Sequence, residues 1–186
     1  NSLTLTTGTK TNKTYISVAT TNATGILPNN EYNRYNFTVR NTSDFLNDKL
    51  HLDINGSYII QNTQNMYRPG EYYNPLTSVY LFPRGNDWSA VELYKRYDAS
   101  RKLATQYWPY GDQGMQLQNP YFIVNDMMTP VQRKRYMFMS SLKYDILPWL
   151  NVTGRVRVDN TNSESESRFH ASGQGLLYAG THGNGI

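Results

Sequence analysis

Two stretches of this chain alternate apolar and polar residues, reverse on a tight turn, and alternate again. They are RYNFTVRNTSDFLNDKLHLDINGSYII over 34–60 and KRYMFMSSLKYDILPWLNVTGRVRVDN over 134–160, each turning on Asp-x-Leu. In the first, Tyr35, Phe37 and Val39 oppose Arg34, Asn36, Thr38 and Arg40; after the turn, Leu50, Leu52, Ile54, Tyr58 and Ile60 oppose His51, Asp53, Asn55 and Ser57. In the second, Leu150, Val152, Val156 and Val158 oppose Asn151, Thr153, Arg155, Arg157 and Asp159. A period of two is the β-strand signature, and a slip of one residue would exchange the faces, so the register is well specified. The pattern outlasts the usual soluble strand of about 5–6 residues and suits one that crosses a bilayer in about 9–11.

The same reading predicts six strands, over 2–9, 14–23, 32–42, 49–62, 133–144 and 150–161, the second too rich in threonine to orient. The connections then run short (10–13), longer (24–31), short (44–48), very long (63–130) and short (145–149), before a tail at 162–186 that reads as another loop. Short turns at one end and long loops at the other are the mark of an outer-membrane meander, with the short turns periplasmic. Phe45, Tyr144 and Trp149 at one end and Tyr32, Tyr58 and Tyr136 at the other would supply its aromatic girdles. Within 63–130, Pro69, Gly70, Pro75, Pro83, Gly85, Pro109, Gly111, Gly114 and Pro120 interrupt any alternation. A connection beyond about 15 residues is uncommon in a compact domain, so this one should hold small elements of its own, including a short helix over 90–103. The predicted class is all-β: an antiparallel up-and-down transmembrane β-barrel segment. A secreted β-sandwich, such as an adhesin or carbohydrate-binding module with its apolar face inward, also alternates; strand length and loop asymmetry favour the barrel.

Composition agrees with strands half in contact with lipid. Hydrophobic residues are 38% of the 186, too few for helical membrane spans, while aromatics reach 13% with 16 Tyr, too many for a disordered chain. No run approaches the about 20 apolar residues of a membrane helix, and Asn-Ser-Leu-Thr at the start lacks a signal-peptide layout. The charge of +4 is scattered, its densest group being Arg133, Lys134 and Arg135, which points away from nucleic acid. With no cysteine there is neither a disulfide framework nor a thiolate site.

Taken in order, Tyr15-x-Ser17 leading to Gly25-Ile26, Arg34-Tyr35-Asn36, Asn119-Pro120-Tyr121, Arg135-Tyr136, and Leu142-Lys143-Tyr144 into Trp149-Leu150 form a pattern that resembles the SusC/RagA family of TonB-linked outer-membrane transporters. The resemblance covers most of the chain outside 63–118 and the tail. It implies part of a plugged barrel of about 22 strands, too many for six to close. It also implies import of oligosaccharides, or of peptides, across the bacterial outer membrane, with a TonB complex supplying energy and a SusD-like surface lipoprotein as lid. The plug, the TonB-contacting segment and the remaining strands are expected in a longer chain.

Candidate chemistry is sparse. His51, His170 and His182 show no metal-ligand spacing, and no serine sits in a nucleophile elbow, so no catalytic residue, metal or cofactor is assigned and an enzyme is not expected. Glu164 and Glu166 stand in a serine-rich loop; Asp159-Asn160-Thr161-Asn162 lacks the glycine and distal glutamate of a calcium loop, and Gly180-x-x-Gly183-x-Gly185 follows no strand. The long loop is rich in aromatics: Tyr67, Tyr72, Tyr73, Tyr80, Phe82, Trp88, Tyr94, Tyr97, Tyr107, Trp108 and Tyr110. Most should form the loop's own small core, leaving Trp88, Tyr107 and Trp108 as candidates for substrate or lid contact. Arg34, Arg40, Asp53, Arg155, Arg157 and Asp159 would face the lumen as a mutually paired wall rather than a binding site.

Overall fold

The computed structural model describes residues 1–66, 70, 72–108 and 117–172. Tyr67, Pro69, Pro109, Tyr110, Gly111, Gly114, His182 and the run from Gly180 to Gly185 lie outside the described residues. In chain order the elements are β1 (Ser2–Gly8), β2 (Asn12–Thr24), β3 (Glu31–Phe45), β4 (Leu50–Gln64), α1 (Pro75–Leu81), α2 (Ser89–Glu92), β5 (Lys95–Asp98) and β6 (Leu103–Gln106). There follow α3 (Pro120–Asp126), β7 (Met127–Met128), β8 (Val131–Leu147), β9 (Leu150–Ser165) and β10 (Arg168–Phe169). They fall into two compact units: Asn1–Ala23, Tyr32–Asn62 and Val131–Glu164 form one, and Thr24–Glu31, Thr63–Pro130 and Ser165–Ile186 the other.

The first unit is a six-stranded antiparallel sheet in the order β1-β2-β3-β4-β8-β9. Leu3 stands opposite Val18 and Leu5 opposite Ile16, which settles the orientation that threonine obscured in β2. The turn after β3 places Leu46, Asn47 and Asp48 all at positive φ (56°, 53° and 61°), and Lys49 N–H closes it on Phe45 O at 3.2 Å. Asn and Asp tolerate that left-handed region better than most residues, which is why this segment turns so tightly.

Cross-strand bonds tie polar residues together on one face: Thr4 to Ser17, Thr38 to Ser57, Arg40 to Asp53 and Arg135 to Asp159. The other face carries the apolar set, among it Leu5, Val18, Phe37, Val39, Phe138, Leu142, Val152 and Val156, and these side chains are exposed. On β2 and β3 that apolar band stops at amide and hydroxyl groups. Asn12 donates to Ser43 Oγ at 2.7 Å and Asn41 to Thr14 Oγ1 at 2.9 Å at the turn end, and Asn22 donates to Asn33 Oδ1 at 2.7 Å at the other.

The strands outrun their expected limits: β8 is 17 residues and β9 is 16, against the dozen or so read from the pattern, with β9 carried on by Asn162, Ser163, Glu164 and Ser165 after its apolar pattern fades and β8 extended by Val131 and Gln132 at one end and Asp145, Ile146 and Leu147 at the other. The tail is correspondingly less of a loop than expected, since β9 reaches Ser165 and β10 follows it. Phe45, Tyr58, Tyr136 and Tyr144 alternate onto the apolar face, whereas Tyr32 falls on the parity of Arg34 and Arg40.

In the second unit, α1 and α3 begin alike. Asn74 and Asn119 are N-caps whose side chains accept from Leu76 N–H and Tyr121 N–H, and Pro75 and Pro120 occupy the first turn where no N–H is needed. Phe122, Ile123 and Met127 form a core with Tyr73, Tyr94 and Phe169 against it, and β10 pairs with β7 to bring Phe169 there. The helix expected over 90–103 is wrong. Helix α2 ends at Glu92, and β5 and β6 form a hairpin. Its turn is set by Asp98, whose Oδ1 accepts from Ser100 N–H, Ser100 Oγ–H and Arg101 N–H, a local alternative to helical bonding.

Candidate functional site

The aromatic side chains of the second unit converge because three short helices and two two-stranded pairs are too small to bury a core of aliphatic residues alone. Trp88 packs edge-on against Phe82 with centroids 4.9 Å apart, and its Nε1–H donates to Tyr121 Oη at 3.2 Å. Tyr121 in turn stacks on Tyr94. The Arg96 guanidinium lies 3.4 Å from the centroid of Tyr107, and Tyr107 N–H donates to Tyr94 O. Trp108 is half-buried. Trp88, Tyr107 and Trp108 are therefore packed residues, with Trp88 and Tyr107 linked through Tyr94. Among the described aromatics of this unit, Tyr80 and Tyr97 stand clear, 82% and 71% exposed.

Beside this cluster Lys95 Nζ donates to Asp126 Oδ1 at 2.8 Å and lies 5.2 Å from the Tyr94 ring centroid. The Asp126 hydrogen bond raises the Lys95 pKa above its ordinary value, against the desolvation that lowers it. Asp126 Oδ2 and Gln118 Oε1 are buried with no hydrogen-bond partner among the described residues. Sequence reading missed Tyr121, Lys95 and Asp126. For Tyr121 a signal existed, since an Asn-Pro pair sets a helix start and fixes the direction of the residue after it.

The loop 24–31 belongs to the same unit and is held there by amides. Asn29 Nδ2 donates to Val124 O at 3.0 Å and Asn125 Oδ1 at 2.8 Å, and Asn30 Nδ2 donates to Asn65 O at 2.6 Å. Gly25 makes room for this: a Cβ there would lie 2.1 Å from Asn30 Oδ1. Gly25→Ala is expected to destabilise the loop by about 1–3 kcal/mol through overpacking. The measurement is amide exchange at Thr129, whose N–H bonds to Asn65 Oδ1 at 3.0 Å and should exchange faster.

Of the six charged residues expected on one sheet face, Arg40, Asp53, Arg157 and Asp159 form ion pairs. Arg40 grips Asp53 with Nε at 3.0 Å and Nη2 at 2.8 Å; Arg135 grips Asp159 with Nε at 2.8 Å and Nη2 at 2.6 Å; Arg157 reaches the same carboxylate at 3.5 Å. Arg34 Nε donates to Asn36 Oδ1. Two depressions open on this face, one bordered by Tyr15, Thr38 and Arg40 and the other by Ser57, Met137, Met139 and Arg157, with Asn55 common to both. Among the described residues, no group of His, Asp and Glu could hold a metal ion. No protein-family model matches the chain, and no curated protein matches it either.

Proposed function

We propose that this chain is part of the transmembrane β-barrel of a SusC/RagA-type, TonB-dependent transporter that imports oligosaccharides across the bacterial outer membrane, with a SusD-like surface lipoprotein as lid. The observation that carries this reading is the placement of apolar surface. Every buried hydrophobic residue among those described belongs to the second unit, while the apolar face of the six-stranded sheet carries hydrophobic residues that are exposed or half-buried and none that is buried. A soluble protein rarely presents so large a contiguous patch, whereas lipid requires one. On β4 the band runs from Leu50 to Ile60, a rise of about 33 Å that a tilt of about 45° reduces to roughly 23 Å, near the about 25 Å apolar band of outer-membrane barrels. The opposite face, with its bidentate Arg–Asp pairs, has the chemistry of a water-filled or plugged lumen. Peptides are the second substrate class that aromatic and polar loops would serve.

Membrane fractionation tests the location: the protein is expected in the detergent-extracted outer-membrane fraction, and recovery as a soluble species would transfer the sheet to a secreted sandwich. Tyr80→Ala and Tyr97→Ala test the substrate. Each should weaken oligosaccharide binding about twofold to tenfold, the loss of about 0.5–1.5 kcal/mol of ring contact, with assembly unchanged. Unaltered oligosaccharide binding with lost peptide binding would select the peptide reading.

A further inference from the structure

At the turn end of the sheet, on its polar face, one imidazole joins three strands. His51 on β4 places Nδ1 2.6 Å from Asp44 Oδ1 on β3 and Nε2 3.0 Å from Asp145 Oδ2 on β8. An ionised carboxylate only accepts hydrogen bonds, and a neutral imidazole has a single N–H. The neutral ring can therefore satisfy one of the two contacts and sets a bare nitrogen against a carboxylate oxygen in the other. Only the imidazolium, donating from both nitrogens, fits both.

The two seams beside His51 are not equivalent. At this end β3 and β4 are joined covalently through the turn at 46–49, but β4 and β8 are separated by residues 65–130 and meet here only through hydrogen bonds. One of these is Asp145 N–H to Lys49 O at 2.8 Å, and the His51 contact with the Asp145 side chain is another. The carboxylates are also unequal. Lys143 Nζ lies 2.8 Å from Asp145 Oδ1, so Asp145 keeps a cation when the ring is neutral, whereas no lysine or arginine among the described residues pairs with Asp44. A ring with one proton should hold it on Nδ1, toward Asp44, and release Asp145.

We propose that His51 is a proton-controlled clasp on the β4–β8 seam, closed while the ring carries both protons and open once Nε2 loses its own. The groups that face it are Asp44 from β3, Asp145 and Lys143 from β8, Lys49 from the turn before β4, and Asp53 two residues on along β4. The clasp follows from the sheet alone and stands whether the apolar face meets lipid or another sheet.

The test uses the intact protein with 15N-labelled histidine, in the medium from which it is extracted. At about pH 5.5 both His51 nitrogens should show the protonated imidazolium signature, and by about pH 9 Nε2 should be bare while Nδ1 keeps its proton. Over the same range the protection of the Asp145 amide, corrected for intrinsic exchange, should fall roughly tenfold, the equivalent of one charge-assisted hydrogen bond. In His51→Arg, whose donors never titrate, that protection should not vary with pH; in His51→Leu it should be low throughout. A neutral ring at pH about 5.5, loss of the Nδ1 proton before that of Nε2, or the same pH response in His51→Leu as in the native protein would each overturn the clasp.

Discussion

Arginine in place of Val156 is expected to keep the protein from assembling in the outer membrane. Val156 lies on β9, where the side chain is 61% exposed and shares its face with Val152 and Val158. In water, replacing an exposed valine by arginine changes stability by about 0.5 kcal/mol or less, because the new side chain is solvated in folded and unfolded chains alike. In lipid the same charge costs about 2–4 kcal/mol near the midplane of a barrel strand. The two environments thus differ severalfold in the effect of one substitution. Leu52→Arg on the central strand β4 repeats the test, and Arg155→Ala on the polar parity of β9 is the control that both environments tolerate. Outer-membrane abundance and heat-modifiable migration are the measurements. Normal assembly of both arginine variants would remove the lipid from the account and leave a sheet whose apolar face meets protein.

The sheet was legible because its signal is local and repeated. A residue's face follows from parity alone, so Phe37, Leu52 and Val156 could be placed from the sequence, whereas the partnership of Arg40 with Asp53 within the expected charged wall came from the structure. The strand ends were less legible, since Asn12, Asn41 and Ser43 hold the ladder with side-chain bonds that leave no apolar trace. The second unit was legible only as a need: a connection so long had to fold on itself. Its helices were marked by Asn74-Pro75 and Asn119-Pro120, but prolines spread through the segment read first as breakers, and the hairpin replaced a helix because Asp98 offered the backbone a nearer partner. The candidate contact residues fared similarly. Composition found the aromatic cluster around Trp88, yet which rings pack and which stand clear depends on contacts such as Trp88 with Tyr121, 33 positions apart, that no local pattern records.

Asn119→Leu should unfold the second unit while leaving the sheet's assembly intact. Asn119 is fully buried, and its side chain serves three backbone groups from different parts of the segment. Nδ2 donates to Val91 O at 2.8 Å and to Tyr107 O at 3.0 Å, and Oδ1 accepts from Tyr121 N–H at 2.9 Å; the residue's own N–H donates to Gln106 Oε1 at 2.8 Å. Leucine shares the branching of asparagine but is the larger residue, so no cavity accompanies the change, and the loss is that of the polar contacts, with overpacking added to it. One buried and two part-buried backbone groups lose their partner, at about 1–3 kcal/mol for each that stays unpaired, and the cap of α3 goes with them. Even with relaxation recovering some of this, a loss of at least about 3 kcal/mol is expected, a large part of the stability of a unit this small. Helix α3 carries Phe122 and Ile123 into the core, so the cap and the core should fail together. Limited proteolysis in the range 63–130 is the measurement, run beside membrane assembly. Asn119→Ser, which keeps an acceptor for the cap but not the two donors, should fall between. An unchanged cleavage pattern in the leucine variant would mean that the aromatic cluster holds this unit together without its buried amide, and the weight of the argument would pass to Trp88, Tyr94 and Tyr121.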